Sequence, residues 1–168
     1  MDLDPRLHFV TATAIVVKRG SSGRDAPRFL IAKRAAHEKA FPNKWTVPGG
    51  KLVRKEYEDL PKVPYTPDQK ESVAPQWYHI MDWLVKKEVR EEVNVEVEHI
   101  EYLTDLVFIR PDGYPVVTLS YWCYYKSGEA KPGKDLTEVA WVTVEEAKEY
   151  DLIEGIVEEI EEVDNLLR

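Results

Sequence analysis

The stretch that most constrains this chain is residues 87–95, Lys-Glu-Val-Arg-Glu-Glu-Val-Asn-Val, which sets Glu88, Glu91 and Glu92 within five positions. Apolar periodicity predicts a helix over 76–93. At roughly 100° per residue, the three glutamates span only about 100° of its circumference. Trp77, Ile80, Met81, Leu84 and Val85 share that arc, while His79, Asp82, Lys86, Lys87 and Arg90 fall on the other side. An amphipathic helix turns its apolar stripe inward, so these acids are expected to point into the protein at the end of its core. Like charges at this spacing repel by roughly a few tenths of a kcal/mol on a solvated helix, and by more where water is excluded. A divalent cation would turn that repulsion into attraction, and carboxylates, waters and phosphates are the ligands Mg²⁺ takes.

A second stretch lies upstream at 45–56, Trp-Thr-Val-Pro-Gly-Gly-Lys-Leu-Val-Arg-Lys-Glu. Paired glycines after a proline predict a sharp turn and a close approach of backbone to another group. Gly50, Glu56 six residues on, and the carboxylate helix together resemble the box of the Nudix hydrolases, GxxxxxE…REUxEExGU with U a bulky apolar residue. Gly50 and Glu56 match its first part; Glu88, Val89, Glu91, Glu92 and Val95 match its second. Lys87 stands where the family has Arg, keeping the charge without the bidentate fork. Asn94 stands where it has Gly, and Asn is the next-best residue for a left-handed helix cap. Glu56 and Lys87 are 31 positions apart, 23 more than the family places there. The extra length falls between loop and helix, where a box can lengthen without moving its carboxylates.

Length and composition fit one globular domain over 1–168, with 43% hydrophobic and 32% charged residues. A net charge of −8 and a pI near 5.1 argue against a surface that wraps nucleic acid or binds an anionic membrane. A single cysteine, Cys123, excludes an intramolecular disulfide and suits the cytoplasm. It sits in an apolar strand and reads as a buried, inert thiol. Neither a signal peptide nor an apolar run long enough to span a membrane is seen.

Taken in order, 8–19 reads as a strand, 20–27 as a turn and 29–34 as the second strand of a hairpin. An irregular segment follows over 35–44, in which His37 reads as a surface residue. Four prolines in 57–75 exclude a helix or inner strand there and suggest a polyproline-like excursion or flap. Its Tyr65 reads as an exposed loop aromatic, with a place over a substrate base as the alternative. Residues 95–110 supply one or two strands, 111–115 a turn and 116–126 a strand rich in β-branched and aromatic residues. Tyr114, Tyr121, Trp122, Tyr124 and Tyr125 must then divide between two faces. A loop over 128–136 precedes a short strand at 138–142. Thr143 and Glu146 form a capping box, and a last helix starts at Glu154 with a solvated Glu-rich face.

This order is α+β, and the resemblance implies the Nudix fold, a mixed sheet sandwiched between helices. It further implies a MutT-like hydrolase in which water attacks a phosphorus of a nucleoside diphosphate linked to some group X, with Mg²⁺ or Mn²⁺ neutralising the phosphates. On the matching positions, Glu88, Glu91 and Glu92 are the implied metal ligands, with the Gly50 carbonyl as a further one. Glu56 and Lys87 would brace them. Arg34, Lys51, Gly49, Asp135 and Glu138 are the substrate-side candidates. The general base stays open between a glutamate of the helix, Asp135 and Glu138. A (d)NTP or modified nucleotide is the expected substrate; ADP-ribose, a nucleotide sugar or a dinucleoside polyphosphate is the alternative. A non-catalytic nucleotide-binding regulatory domain is the reading of another class. Pro111 lies 16 residues after Val95, a spacing associated with ADP-ribose pyrophosphatases but also natural for a hairpin turn. The partner is a small nucleotide, and the chain is expected as monomer or homodimer.

Overall fold

The structure, a computed structural model, describes residues 4–22, 25–61 and 75–168. Most of the 57–75 segment, Tyr65 included, lies outside the described residues, as do two residues of the 20–27 turn. The elements are β1 (Phe9–Lys18), β2 (Arg28–Arg34), β3 (Trp45–Thr46), β4 (Gly49–Lys51), α1 (Arg54–Tyr57), α2 (Ile80–Val93), β5 (Glu96–Ile109), β6 (Pro115–Ser127), β7 (Leu136–Val142), α3 (Val144–Ala147) and α4 (Ile156–Leu166).

The strands form one mixed sheet in the order β3-β2-β1-β6-β5, with β4 beside β1 and β7 beside β2. β1 and β6 run parallel over Phe9↔Val116 to Val17↔Tyr124, and the other pairings are antiparallel. Side chains alternate across a strand, so β1 divides its residues between two cores. Ala12, Ala14 and Val16 join Leu84, Val85, Val89 and Val93 of α2 on one face. Ile15 and Val17 join Ile156, Ile160 and Val163 of α4 on the other. Ala12, Ala14 and Ala32 are small, which lets α2 sit close to the sheet. The β6 aromatics divide as their alternation requires: Tyr121 and Tyr125 pack on the α2 side, Trp122 and Tyr124 on the α4 side. Cys123 is buried and free, and burial pushes its thiol up to about 12.

Several expectations are corrected. The central helix begins at Ile80, not at residue 76, because His79 adopts a left-handed conformation. Trp77 is instead held by Tyr57, ring centroids 5.2 Å apart, and donates from Nε1 to the Leu60 carbonyl at 3.1 Å. The helix α1 was not anticipated where the Pro-rich segment begins. Gly49 and Gly50 lie in a strand rather than a turn, and neither has a positive φ. Residues 96–109 form one long strand with irregular register in its first half. On α4, two acids of the supposed solvated face turn inward: Asp164 is buried and paired with Arg168, and Glu159 accepts from Ser120 Oγ at 3.1 Å. Asn94 does take the left-handed cap at φ +59, and the Thr143–Glu146 capping box is formed in both directions.

Leu84 is fully buried where α2 meets the sheet. Leu84→Ala is expected to lower unfolding free energy by about 3 kcal/mol through lost transfer energy and a residual cavity. A urea titration should show a lower midpoint with an unchanged slope.

Candidate active site

The site forms where α2 crosses β4. Gly50 pairs with Ala12 and shares its face of the sheet, directly beneath Glu88. A Cβ built on Gly50 would lie 2.7 Å from Glu88 Oε1, and one on Gly49 would lie 2.5 Å from the Ala12 carbonyl oxygen. Gly49 is therefore needed for close approach to backbone rather than for unusual dihedrals, while a Cβ at Gly50 would displace the flexible end of Glu88. The Gly49 N–H donates to Glu92 Oε2 at 2.9 Å, so helix and strand are joined through a carboxylate.

Lys87 gathers the others. Its Nζ lies 2.9 Å from Glu88 Oε1, 2.9 Å from Glu91 Oε2 and 3.2 Å from Glu56 Oε2. Its helical position faces away from the core, but the long stem folds back, leaving the side chain 18% exposed. Burial alone would lower its pKa; the hydrogen bonds it donates to Glu91, Glu88 and Glu56 outweigh that and hold it well above the usual lysine range. The short helix α1 is what delivers Glu56.

The three helix glutamates do not share one environment. Glu88 is 12% exposed and Glu92 half-buried, whereas Glu91 is 59% exposed and stands at the solvent side. The inward orientation expected of all three holds for two. Burial pushes the Glu92 carboxyl up to about 7; the Gly49 N–H and Arg34 act downward, and Glu88 and Asp135 act upward.

Arg34 and Asp135 are thus close enough to act on the charge of Glu92. Arg34 ends β2, donates from Nε to the Ala40 carbonyl at 2.9 Å and pairs with Glu38. The Asp135 carbonyl accepts from Ala35 N–H at 3.0 Å, and its Oδ1 lies 3.5 Å from His37 Nε2. His37, Glu38 and Asp135 present ligand atoms within 4.8 Å of one another at the exposed rim. Glu138 is engaged elsewhere, by Lys33 at 2.8 Å across the β2–β7 pair. Lys51 is exposed, its Nζ 5.6 Å from the Phe9 ring.

Sequence reasoning missed Glu38, whose tie to Arg34 has helical spacing without a helix. It also missed a row of hydroxyls beside Gly49. Thr11 bonds Thr118 at 2.7 Å and Thr13 bonds Ser120 at 3.0 Å, with Glu159 behind them. The alternating Thr residues of β1 were the available signal. The loop before β7 is clamped onto α2 by Gly133 N–H to the Glu92 carbonyl at 2.7 Å and Lys131 N–H to that of Val93 at 3.1 Å.

Chemically, the donor set fits a hard divalent cation. Three carboxylates, Glu56, Glu88 and Glu91, surround one ammonium, and a fourth, Glu92, is seated on the Gly49 N–H with no cation within bonding distance among the described residues. Oxygen-only ligands in this number suit Mg²⁺ or Mn²⁺.

Folding raises the Glu92 carboxyl from the ordinary 4.5 to about 7, so the folded protein binds this proton more tightly than the unfolded chain. Its contribution to stability is intact below pH 4.5, is lost as the pH rises towards 7, and is gone above that. The full loss is about 3 kcal/mol at most. With chelator present, Glu92→Gln is expected to melt higher than the wild type above neutral pH, the difference closing under acid conditions. Calorimetry across that pH range checks it.

No family model matches the sequence, and no curated protein matches it. Solved structures do match in shape. The Nudix domain of Shewanella oneidensis NrtR, complexed with ADP ribose, superposes with a TM-score of 0.69 at 17% identity, covering 99% of this chain and 95% of that one. A MutT Nudix hydrolase from Burkholderia pseudomallei gives 0.65 at 20% identity, covering 94% and 99%. The C. elegans Ap4A hydrolase gives 0.63 at 13% identity, covering 95% and 97%. Among the described residues no helix is long and apolar enough to cross a membrane. With the mixed sheet held between α2 on one face and α3 and α4 on the other, this chain has the Nudix fold.

Proposed function

We propose that this protein is a divalent-metal-dependent hydrolase that cleaves a pyrophosphate bond in a nucleoside diphosphate linked to X. The observation that carries the reading is the convergence of Glu56, Glu88 and Glu91 on Lys87, with Glu92 seated on the Gly49 N–H. Phosphoryl chemistry of this kind needs positioning and charge neutralisation more than a covalent nucleophile.

Glu88, Glu91 and Glu92 would hold Mg²⁺ or Mn²⁺, with the Gly50 carbonyl as a further donor. When bound, the ion supplies charge neutralisation for the phosphate oxygens and the leaving group. Lys87 keeps Glu88 and Glu91 in register and ties them to Glu56. The Gly49 N–H fixes one Glu92 oxygen and leaves the other facing the site. Glu92, anchored on the Gly49 N–H, is one candidate to take a proton from an attacking water. Asp135 is the other acid beside Glu92. Arg34, held by Glu38 and Ala40, presents positive charge towards the same place and would steady a phosphate. Glu138, neutralised by Lys33, is a weaker candidate than sequence alone suggested. Cys123 takes no part, being a buried thiol that stays protonated.

For X, a (d)NTP or modified nucleotide remains the first reading. ADP-ribose is the second, favoured by the shape match to a Nudix domain that carries it. A phosphate-release panel of nucleoside triphosphates, ADP-ribose, nucleotide sugars and dinucleoside polyphosphates, run with Mg²⁺, with Mn²⁺ and with chelator, separates these. Turnover of at least one class, abolished by chelator, is expected. Glu92→Gln and Glu88→Gln should each lower kcat about 100-fold or more, on the scale of losing one preorganised charge, with circular dichroism unchanged. Glu91→Gln should weaken activation by the metal. Tight nucleotide binding without turnover under every metal condition would replace catalysis by the regulatory reading.

A further inference from the structure

The strand β5 ends the sheet, and among the described residues nothing pairs with its outer edge. An unpaired edge presents a row of free N–H and C=O groups, which proteins blunt with bulges, prolines or charges. The two halves of β5 differ in this respect. The first half is blunted: its register against β6 shifts at three places between Glu96 and Thr104, and it carries Glu96, Glu98 and Glu101. From Asp105 to Ile109 the pairing is unbroken. That half has no proline and no lysine, and its one charge, Asp105, is held by the Tyr102 hydroxyl. Apolar side chains stand out from it on both faces: Leu106, Val107 at 63% exposure and Ile109 at 72%. Bulky apolar residues on an open, regular edge mark a pairing site.

We propose that β5 pairs with the β5 of a second copy of this chain, antiparallel about a two-fold axis at Val107, so that one sheet runs through a homodimer. Charge accommodates a second copy and excludes one register. A copy placed antiparallel sends the acidic first half of each strand away from that of its partner. A two-fold axis perpendicular to the sheet requires a residue to face its own counterpart. Centring on Asp105 would oppose two carboxylates, which is unfavourable for directly facing like charges. Centring on Val107 places Asp105 opposite Ile109 and Leu106 opposite Phe108, keeping the contact within the unbroken half. The interface is isologous, so it closes at two copies. It lies on the strand farthest from β3 in the sheet and contains no residue of the carboxylate site.

The test uses the full chain. Size-exclusion chromatography with light scattering over a dilution series should give a dimer for the wild type and a monomer for Val107→Lys, with unchanged circular dichroism. The register is read separately by Val107→Cys. Facing Cα atoms in such a pair lie about 4.5–5.5 Å apart, within reach of a disulfide, so mild oxidation should link two chains. Ile109→Cys places its two thiols about 13 Å apart along the strand and should not link. The native Cys123 is buried and silent. A monomeric wild type, a dimer that survives Val107→Lys, or linking at 109 in preference to 107 would each overturn the proposal.

Discussion

The whole arrangement depends on how closely α2 can approach β4. Glu88 rests where a side chain on Gly50 would have to be, and Glu92 is anchored on the Gly49 N–H. The approach is prepared beneath the site by Ala12 and Ala14, which keep that face of β1 low. Val89 and Val93 then press the helix onto it, both fully buried. Glu88, Glu92 and the apolar residues therefore occupy one side of α2 for a single reason. The apolar part anchors the helix, and the anchorage forces the carboxylates against backbone that has no room to move aside.

That geometry explains why much of the fold was legible from sequence and where legibility stopped. Strong periodicity located β1, β2, β6 and the body of α2, because burial on a fixed face imposes spacing on residue type. Asn94 and the Thr143–Glu146 box were legible because a cap is a local hydrogen-bond problem solved by few residues. The start of α2 was not. Trp77 continues the helical stripe, yet Tyr57 and Leu60 capture it from another part of the chain, and no local pattern encodes that. Gly49 and Gly50 were read as a turn because glycine pairs in sequence signal dihedral freedom. Only the distance to Ala12 and Glu88 reveals that the missing Cβ matters instead.

The site shows the same division. Periodicity grouped Glu88, Glu91 and Glu92, and the resemblance to the Nudix box added Glu56 across a long separation. It did not say that they differ in exposure, because that depends on where the helix rotates against β4. Lys87 was assigned to the outward side by its angle, which describes a Cβ and not the end of a four-carbon chain. Glu38, Asp135 and His37 converge through two loops without regular spacing, and tertiary structure was needed to find them.

Lysine in place of arginine at residue 87 fits this tertiary picture. An arginine's five donors lie in one rigid plane, whereas a lysine's turn about its stem. An ammonium with three rotatable donors can serve three, and Lys87 has Glu56, Glu88 and Glu91 around it. One positive charge among four acids still leaves the cluster strongly negative, and burial beside Glu88 raises the Glu92 carboxyl to about 7, favouring its protonated form. The protein thus keeps these acids close together with a surplus of negative charge. Under the proposed function a divalent cation would complete the charge balance of this cluster, whose acids folding has already brought to one end of α2.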